Sequence, residues 1–166
     1  ARSDIAHGTI NSIDIAEATA LPGVVAVVTA ADLGIAPHHG FAPVHDDFKR
    51  PPLADGTVRF VGEPIAVVLA ETAAIGEDAA QLIWADIDPL PAIIDMEAAL
   101  TAAARPIFPA HGDNQAIRTV GSDRSDPSGA EHVVRGRYIN QRVAVVPIEP
   151  DRAAAEMDDR GRIKLY

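Results

Sequence analysis

The sequence of 166 residues contains no cysteine, and only 4% of its residues are aromatic. The first absence excludes disulfide bonds, thiolate metal sites and a cysteine nucleophile. The second means that a core must be built mainly from Ala, Val, Ile and Leu, which is feasible because 48% of the residues are hydrophobic. No apolar run approaches the roughly 18–20 residues that span a bilayer, and the first residues lack the layout of a signal peptide. We therefore expect a folded, cytoplasmic protein.

Basic residues are scarce in the first part of the chain. Residues 1–100 carry 15 acidic and 4 basic side chains, whereas residues 101–166 carry 9 and 10, which gives the net charge of −10. An acidic surface repels nucleic acid and anionic membranes. We expect neither as a partner.

The pattern around residues 57–71 dominates the chain. Val58 and Phe60, and then Ile65, Val67 and Leu69, alternate with their neighbours, as is typical of strands. Gly62-Glu63-Pro64 separates the two runs, since glycine permits a chain reversal and proline lacks the N–H that a ladder needs. The second run is apolar at both alternating sets of positions, which predicts a strand covered on both faces.

Other elements follow from caps, composition and breaks. A short helix is expected at 15–20, with Asp14 as its N-cap, and a helix at 73–83 with Thr72 as its N-cap. Trp84, in an expected edge strand at 84–88, is interpreted as a core residue. Further strands are expected at 24–29, 132–141 and 142–146, a short helix capped by Asp95 at 96–103, and a hairpin at 153–157 and 162–166.

One loop concentrates residues that could ligate a metal. Residues 34–55 contain His38, His39 and His45 beside Asp46 and Asp47. These residue types suit zinc, but their spacing fits no standard zinc motif. We therefore assign no metal ligands and interpret the segment as a solvated loop, with metal binding as the alternative.

Three separated stretches resemble one enzyme family. The run 58–66, VRFVGEPIA, followed by Leu90-Pro91-Ala92, resembles the N-terminal α/β-hammerhead domain of molybdopterin-binding large subunits in the xanthine dehydrogenase, aldehyde oxidase and aerobic carbon monoxide dehydrogenase family. The runs 12–33 and 134–158 are similar to family segments in the same order. Val145 and Val146 depart from it, since the family usually has His at one of these positions, and Arg152 stands later than the family's arginine.

The resemblance implies an α/β (α+β) fold: a hammerhead with a curved mixed sheet of about six to eight short strands and two or three helices on one side. It further implies a hammerhead domain at 1–104 with a truncated start, a connector at 105–131, and the beginning of a molybdenum-binding domain at 132–166. The family's pterin-binding G-G-G-F-G pattern does not occur in these residues. We therefore assign no catalytic and no cofactor-binding residue here.

By this resemblance, the chain is the structural N-terminal part of an oxidoreductase that oxidises an aldehyde, a heterocycle or carbon monoxide, and is inactive by itself. The full large subunit would hold molybdopterin, and partner subunits would hold FAD and [2Fe–2S] centres. A free-standing protein-binding or scaffold module is the alternative.

Candidate interface residues toward the rest of the subunit are Glu63, Arg142 and Glu149. For Glu63, an exposed glutamate in a turn is the alternative interpretation. We also expect an exposed apolar patch within 139–166, through which the chain by itself would form a homodimer.

Overall fold

The computed structural model describes residues 1–40, 44–118, 126, 129–140, 143, 146–149 and 152–166. It divides into two compact units, residues 1–120 and 121–166. The division falls inside the expected connector. The expected domain limits themselves stay a prediction.

The described residues of the first unit form five strands and three helices. In chain order they are β1 (Gly8–Asp14), α1 (Ala16–Ala20), β2 (Val24–Thr29), α2 (Ala30–Leu33), β3 (Thr57–Val58), β4 (Ala66–Ala70), α3 (Ala73–Gln81) and β5 (Trp84–Pro89). Two 3₁₀ turns, Asp46–Phe48 and Ala98–Leu100, lie in the longer connections. No helix among the described residues has the length and apolarity needed to cross a membrane.

The α/β class is confirmed, but the expectation of one curved mixed sheet is wrong for the described residues. All of their strand pairs are antiparallel, in the orders β3-β1-β5 and β2-β4 for the first unit. Bulges interrupt the ladders between Ile10 and Ser12 and between Val24 and Ala26. Such an extra residue bends its strand and increases its local twist.

The core of the first unit is small and packs against side chains of β1 and β5. Val58, Ile65 and Ala54 are buried, and Ile10 and Ile87 pack against them. Because Val58 and Ile65 flank the Gly62-Glu63-Pro64 break, both arms of the central stretch contribute to this core. Burial of such side chains contributes about 1.5–3 kcal/mol each relative to exposure.

The central stretch is less extended than expected. β3 has only two residues, because the chain turns at Phe60, where the backbone carbonyl accepts from the Glu63 N–H at 3.2 Å. β4 is not covered on both faces in the described residues, since Val67 is 45% and Leu69 47% exposed. These two side chains share a face because they are two positions apart.

Several local expectations are confirmed. β2 spans the expected residues, and the Thr72 hydroxyl accepts from the Ile75 N–H at the start of α3. Asp14 is not the N-cap of α1, although that was expected: Ile15 takes that position, and Asp14, one residue earlier, accepts from the Ala16 N–H. Asp95 accepts from the N–H groups of Glu97 and Ala98, although only a 3₁₀ turn follows rather than a helix over 96–103.

The position of Trp84 contradicts the sequence prediction. Its side chain is 64% exposed, at the start of β5, which pairs with β1 alone in the described structure. A position at the end of an edge strand leaves the indole without a covering layer. The interpretation as a core residue is therefore wrong for the described part of the chain.

The second unit contains one antiparallel hairpin among its described residues, formed by β6 (Ala155–Met157) and β7 (Ile163–Leu165). The Asp158 carboxylate closes its turn by accepting from the N–H groups of Arg160 and Arg162. The expected hairpin is confirmed. Residues 132–140 form no strand, so that expectation is wrong, and most of the expected strand 142–146 lies outside the described residues.

Candidate functional site

The break between β3 and β4 is held by the N-terminal segment. The Gly62 N–H donates to the Ser3 carbonyl at 2.7 Å, and the Ser3 N–H donates to the Glu63 carbonyl at 2.9 Å. The Arg2 guanidinium donates to the Gly62 carbonyl at 2.7 Å. Gly62 has a φ of +89°, a conformation that glycine adopts without strain. The V-G-E-P sequence thus forms a reversal that the first three residues of the chain clamp.

The Glu63 side chain points into the first unit rather than out of it. It is only 3% exposed, and its carboxylate accepts from the Arg59 backbone N–H at 2.5 Å and from the Arg50 guanidinium at 3.3 Å. A buried carboxylate requires such partners, because an unpaired buried charge is costly. The exposed-turn interpretation is therefore wrong. The interface assignment of Glu63 stays a prediction.

Two half-buried arginines complete the polar cluster around Glu63, and neither was identified from the sequence. The Arg50 guanidinium lies over the Phe60 ring at 5.0 Å, and the Arg59 guanidinium lies over the Phe108 ring at 4.8 Å. Burial lowers the pKa of Arg59, and the nearby Glu63 charge opposes that shift. Both carboxylate oxygens of Glu63 have partners, so the cluster braces the turn rather than presenting a base to a substrate.

The histidine-rich loop divides into two groups. In the first, the Asp46 carboxylate contacts the Lys49 ammonium at 2.9 Å and His39 Nε2 at 3.1 Å. The hydrogen bond from Lys49, and after it the bond from His39, holds the pKa of Asp46 below its usual value. The Asp46 carboxylate is therefore already paired with the Lys49 ammonium.

The second group joins the loop to a distant turn. One ligand atom from each of His45, Asp47 and His111 lies within 4.8 Å of the other two. Asp47 Oδ2 lies 3.0 Å from His45 Nδ1 and 3.3 Å from His111 Nδ1. The sequence pointed to His45 and Asp47 but missed His111, which is 64 residues further along than Asp47. No local pattern reveals such a contact, because it is made by the tertiary fold.

The other two expected interface residues belong to the second unit. Glu149 is exposed, and Arg142 lies outside the described residues. Their role at an interface stays a prediction.

Two grooves formed by described residues of the first unit are mainly apolar and do not suit a phosphorylated pterin. The first, about 590 Å³, is lined mostly by small apolar residues of β4 and α3, with the Ala1 ammonium, Arg2 and Glu77 as its charged groups. The Arg2 guanidinium already donates to Gly62, and Glu77 would repel phosphate. A second groove, about 510 Å³, is formed by residues 91–105 and is also mainly apolar. Neither gathers the donors that recognise a phosphate group.

Comparison with known proteins gives a consistent result. Residues 1–91 match the family model described as "Aldehyde oxidase and xanthine dehydrogenase, a/b hammerhead domain". The 6-hydroxypseudooxynicotine dehydrogenase complex subunit gamma of Paenarthrobacter nicotinovorans is 37% identical over 99% of this chain and 22% of its own length. The carbon monoxide dehydrogenase large chain of Afipia carboxidovorans is 33% identical, with the same shares covered.

A solved structure shows the same similarity in three dimensions. Quinoline 2-oxidoreductase from Pseudomonas putida 86 superposes with a TM-score of 0.84 and 37% identity, over 99% of this chain and 22% of that chain. The chain thus spans about a fifth of the length of each of these three relatives.

Proposed function

The chain belongs to the aldehyde oxidase and xanthine dehydrogenase family through its a/b hammerhead domain, and from this membership we propose that it is the structural N-terminal part of a molybdenum hydroxylase large subunit. The observation that carries the proposal is the similarity over 99% of this chain to 22% of the two curated relatives named above. In this role the chain is a folded structural domain that packs against the remainder of the subunit, and that remainder carries out the reaction.

The proposed reaction is oxidation of an aldehyde, a heterocycle or carbon monoxide, with water as the oxygen source. Its support is the range of names among the relatives, which include a carbon monoxide dehydrogenase, a xanthine dehydrogenase subunit and an aldehyde oxidoreductase. Molybdopterin would bind to the rest of the large subunit and carry out the oxidation, and FAD and [2Fe–2S] partner subunits would remove the electrons. We propose a cytoplasmic location for this complex.

We assign residues 1–104 to the hammerhead domain, 105–131 to a connector and 132–166 to the start of the molybdenum-binding domain. The hairpin of the second unit supports a role in a larger fold. Met157, Ile163 and Leu165 are each more than 70% exposed, and the pairs Met157–Ile163 and Ala155–Leu165 lie on one face of it. An apolar face of this kind is expected to be covered by protein.

Polar contacts to the remaining subunit are proposed for Arg142 and Glu149, and for Glu63. Glu149 is exposed and available. Glu63 would act through the shape of the turn that it braces, since its carboxylate is buried against Arg50 and Arg59. A free-standing scaffold module is the competing function.

The test compares the chain alone with the polypeptide that its host makes. We expect the chain alone to bind no molybdopterin and to oxidise no aldehyde, N-heterocycle or carbon monoxide in the presence of an artificial electron acceptor. The native polypeptide should carry molybdenum and pterin fluorescence, and should oxidise at least one of these compounds. A native protein without molybdenum would contradict the proposal and favour the scaffold module.

A further inference from the structure

We propose that His45, Asp47 and His111 form a binding site for a divalent transition metal, with zinc as the best fit. The three side chains come from two segments, the 3₁₀ turn at Asp46–Phe48 with the residue before it, and the turn that contains His111. Their ligand atoms lie within 4.8 Å of one another. This inference rests on the geometry of the first unit and is independent of the proposed function.

The donor set matches zinc chemistry. Two imidazole nitrogens and one carboxylate oxygen form a common zinc ligand set, with the fourth position left to water. In a tetrahedral site with ligand distances of about 2.0–2.2 Å, neighbouring ligand atoms lie roughly 3.3–3.6 Å apart. Asp47 Oδ2 lies 3.0 Å and 3.3 Å from the two Nδ1 atoms, so two of the three edges are close to this spacing.

The surroundings hold His111 in position. Its ring packs against Phe48 at 4.5 Å between centroids, and Phe48 in turn packs against Phe108 at 5.1 Å. Its other nitrogen, Nε2, lies 3.5 Å from Asp113 Oδ1. A carboxylate next to the second nitrogen of a ligating histidine is the usual arrangement at metal sites, because it fixes the orientation of the ring.

Metal binding would replace a weak contact and join two irregular segments. His45 Nδ1 now accepts from the Asp47 backbone N–H at 3.3 Å, a long bond that the metal would displace. In return the ion would link residues that are 64 positions apart in the chain. Cross-linking a long loop stabilises the folded state by restricting the unfolded chain.

The neighbouring His39–Asp46 pair provides a matched control. It lies in the same loop and offers the same residue types, but Lys49 occupies its carboxylate at 2.9 Å. If Zn²⁺ bound nonspecifically to histidines or carboxylates of this loop, substitution of this pair would weaken binding as much as substitution of His45 or Asp47. A specific site requires His45 and Asp47 instead.

The experiment measures Zn²⁺ binding to the tag-free full chain by calorimetry and by thermal unfolding, with Co²⁺ absorption as a report on coordination. We expect one equivalent of Zn²⁺ to bind and to raise the Tm, and Co²⁺ to give the intense visible bands of a tetrahedral site. His45→Gln and Asp47→Asn should each weaken binding at least ten-fold, Asp113→Asn by about ten-fold, and His39→Gln should leave it unchanged. His45 is exposed, so its variant is expected to fold, which the Tm without metal will check.

The proposal is overturned if Zn²⁺ neither binds stoichiometrically nor changes the Tm of the unaltered chain. It is equally overturned if His45→Gln and Asp47→Asn bind Zn²⁺ as the unaltered chain does, or if His39→Gln weakens binding as much as they do. In each of these cases the three residues form a hydrogen-bonded cluster only.

Discussion

At the scale of single residues, the structure explains why a glutamate occupies position 63 of the V-G-E-P motif. The side chain between Gly62 and Pro64 is buried, and its two oxygens accept from Arg59 and Arg50. The sequence indicated a reversal at this point, but it could not show the direction of the side chain. That direction depends on Arg50, which comes from the long connection before β3, where its backbone pairs with His38.

Replacing Glu63 by Gln should destabilise the first unit. The amide keeps the shape, but it removes the negative charge that faces two guanidinium groups, and a hydrogen bond to a charged group contributes about 1.5–3 kcal/mol. We expect a loss of about 1–3 kcal/mol in the free energy of unfolding, measured by urea denaturation. The exposed Glu77→Gln should change it by less than about 0.5 kcal/mol. Equal effects of the two substitutions would show that the contacts of Glu63 with Arg50 and Arg59 do not contribute to the free energy of unfolding.

Asp32 provides a prediction about pH at the start of α2. The Thr29 backbone N–H and then its hydroxyl, each 2.8 Å from Asp32 Oδ2, lower the pKa of this carboxyl from 3.8. Because the folded pKa lies below the unfolded one, the contribution to stability is complete above pH 3.8 and is lost as the pH falls through the folded pKa. NMR titration should show Asp32 ionising below pH 3.8, and Thr29→Val should raise its pKa part of the way back. A titration at or above pH 3.8 in the unaltered chain would refute this.

At the scale of elements, the sequence predicted helix caps and strand positions, but it did not predict which strand faces are covered by other segments. The caps at Thr72 and Asp95 and the strand β2 follow from residue types over a few positions. The short β3 and the open face of β4 do not, because they depend on which segments pack against them. Periodicity shows which faces are apolar, but it does not identify what covers them.

The turn between α1 and β2 tests the packing of α3. Gly23 has a φ of +87°, and a Cβ added there would lie 2.6 Å from Ile75 Cδ1, whereas Gly34, after α2, has a φ of +58° and open space around it. Gly34→Ala should cost about 1 kcal/mol from backbone strain alone. Gly23→Ala should cost more, about 2 kcal/mol, because Ile75 must also move. Chemical denaturation of the two variants gives the order directly, and an equal or smaller cost at Gly23 would contradict the packing.

At the scale of the whole molecule, apolar side chains remain exposed in both units. In the first unit Val67 and Leu69 form part of the open face of β4, and in the second the hairpin exposes Met157, Ile163 and Leu165. The sequence predicted β4 as covered on both faces. The remainder of a large subunit could cover the exposed face of β4. The exposed apolar surfaces are therefore consistent with the family membership.

The chain by itself should self-associate through the hairpin face. Sedimentation velocity at increasing concentration should show a monomer that converts to a dimer, because pairing these faces removes apolar area from water. The double variant Met157→Ser/Ile163→Thr should weaken the dimer, and Lys164→Gln, on the opposite hairpin face, should not. A chain that stays monomeric at millimolar concentration would show that this face drives no association.

The central claim is that this sequence functions as part of a molybdenum hydroxylase large subunit. The most direct test is the intact mass of the polypeptide that carries this sequence in its host, measured by mass spectrometry after capture with an antibody against residues 1–118. The relatives, of which this chain covers about 22%, predict a polypeptide several times heavier than 17.4 kDa. A native polypeptide of 17.4 kDa would contradict the claim, and the search would then turn to the protein that a free-standing hammerhead module binds.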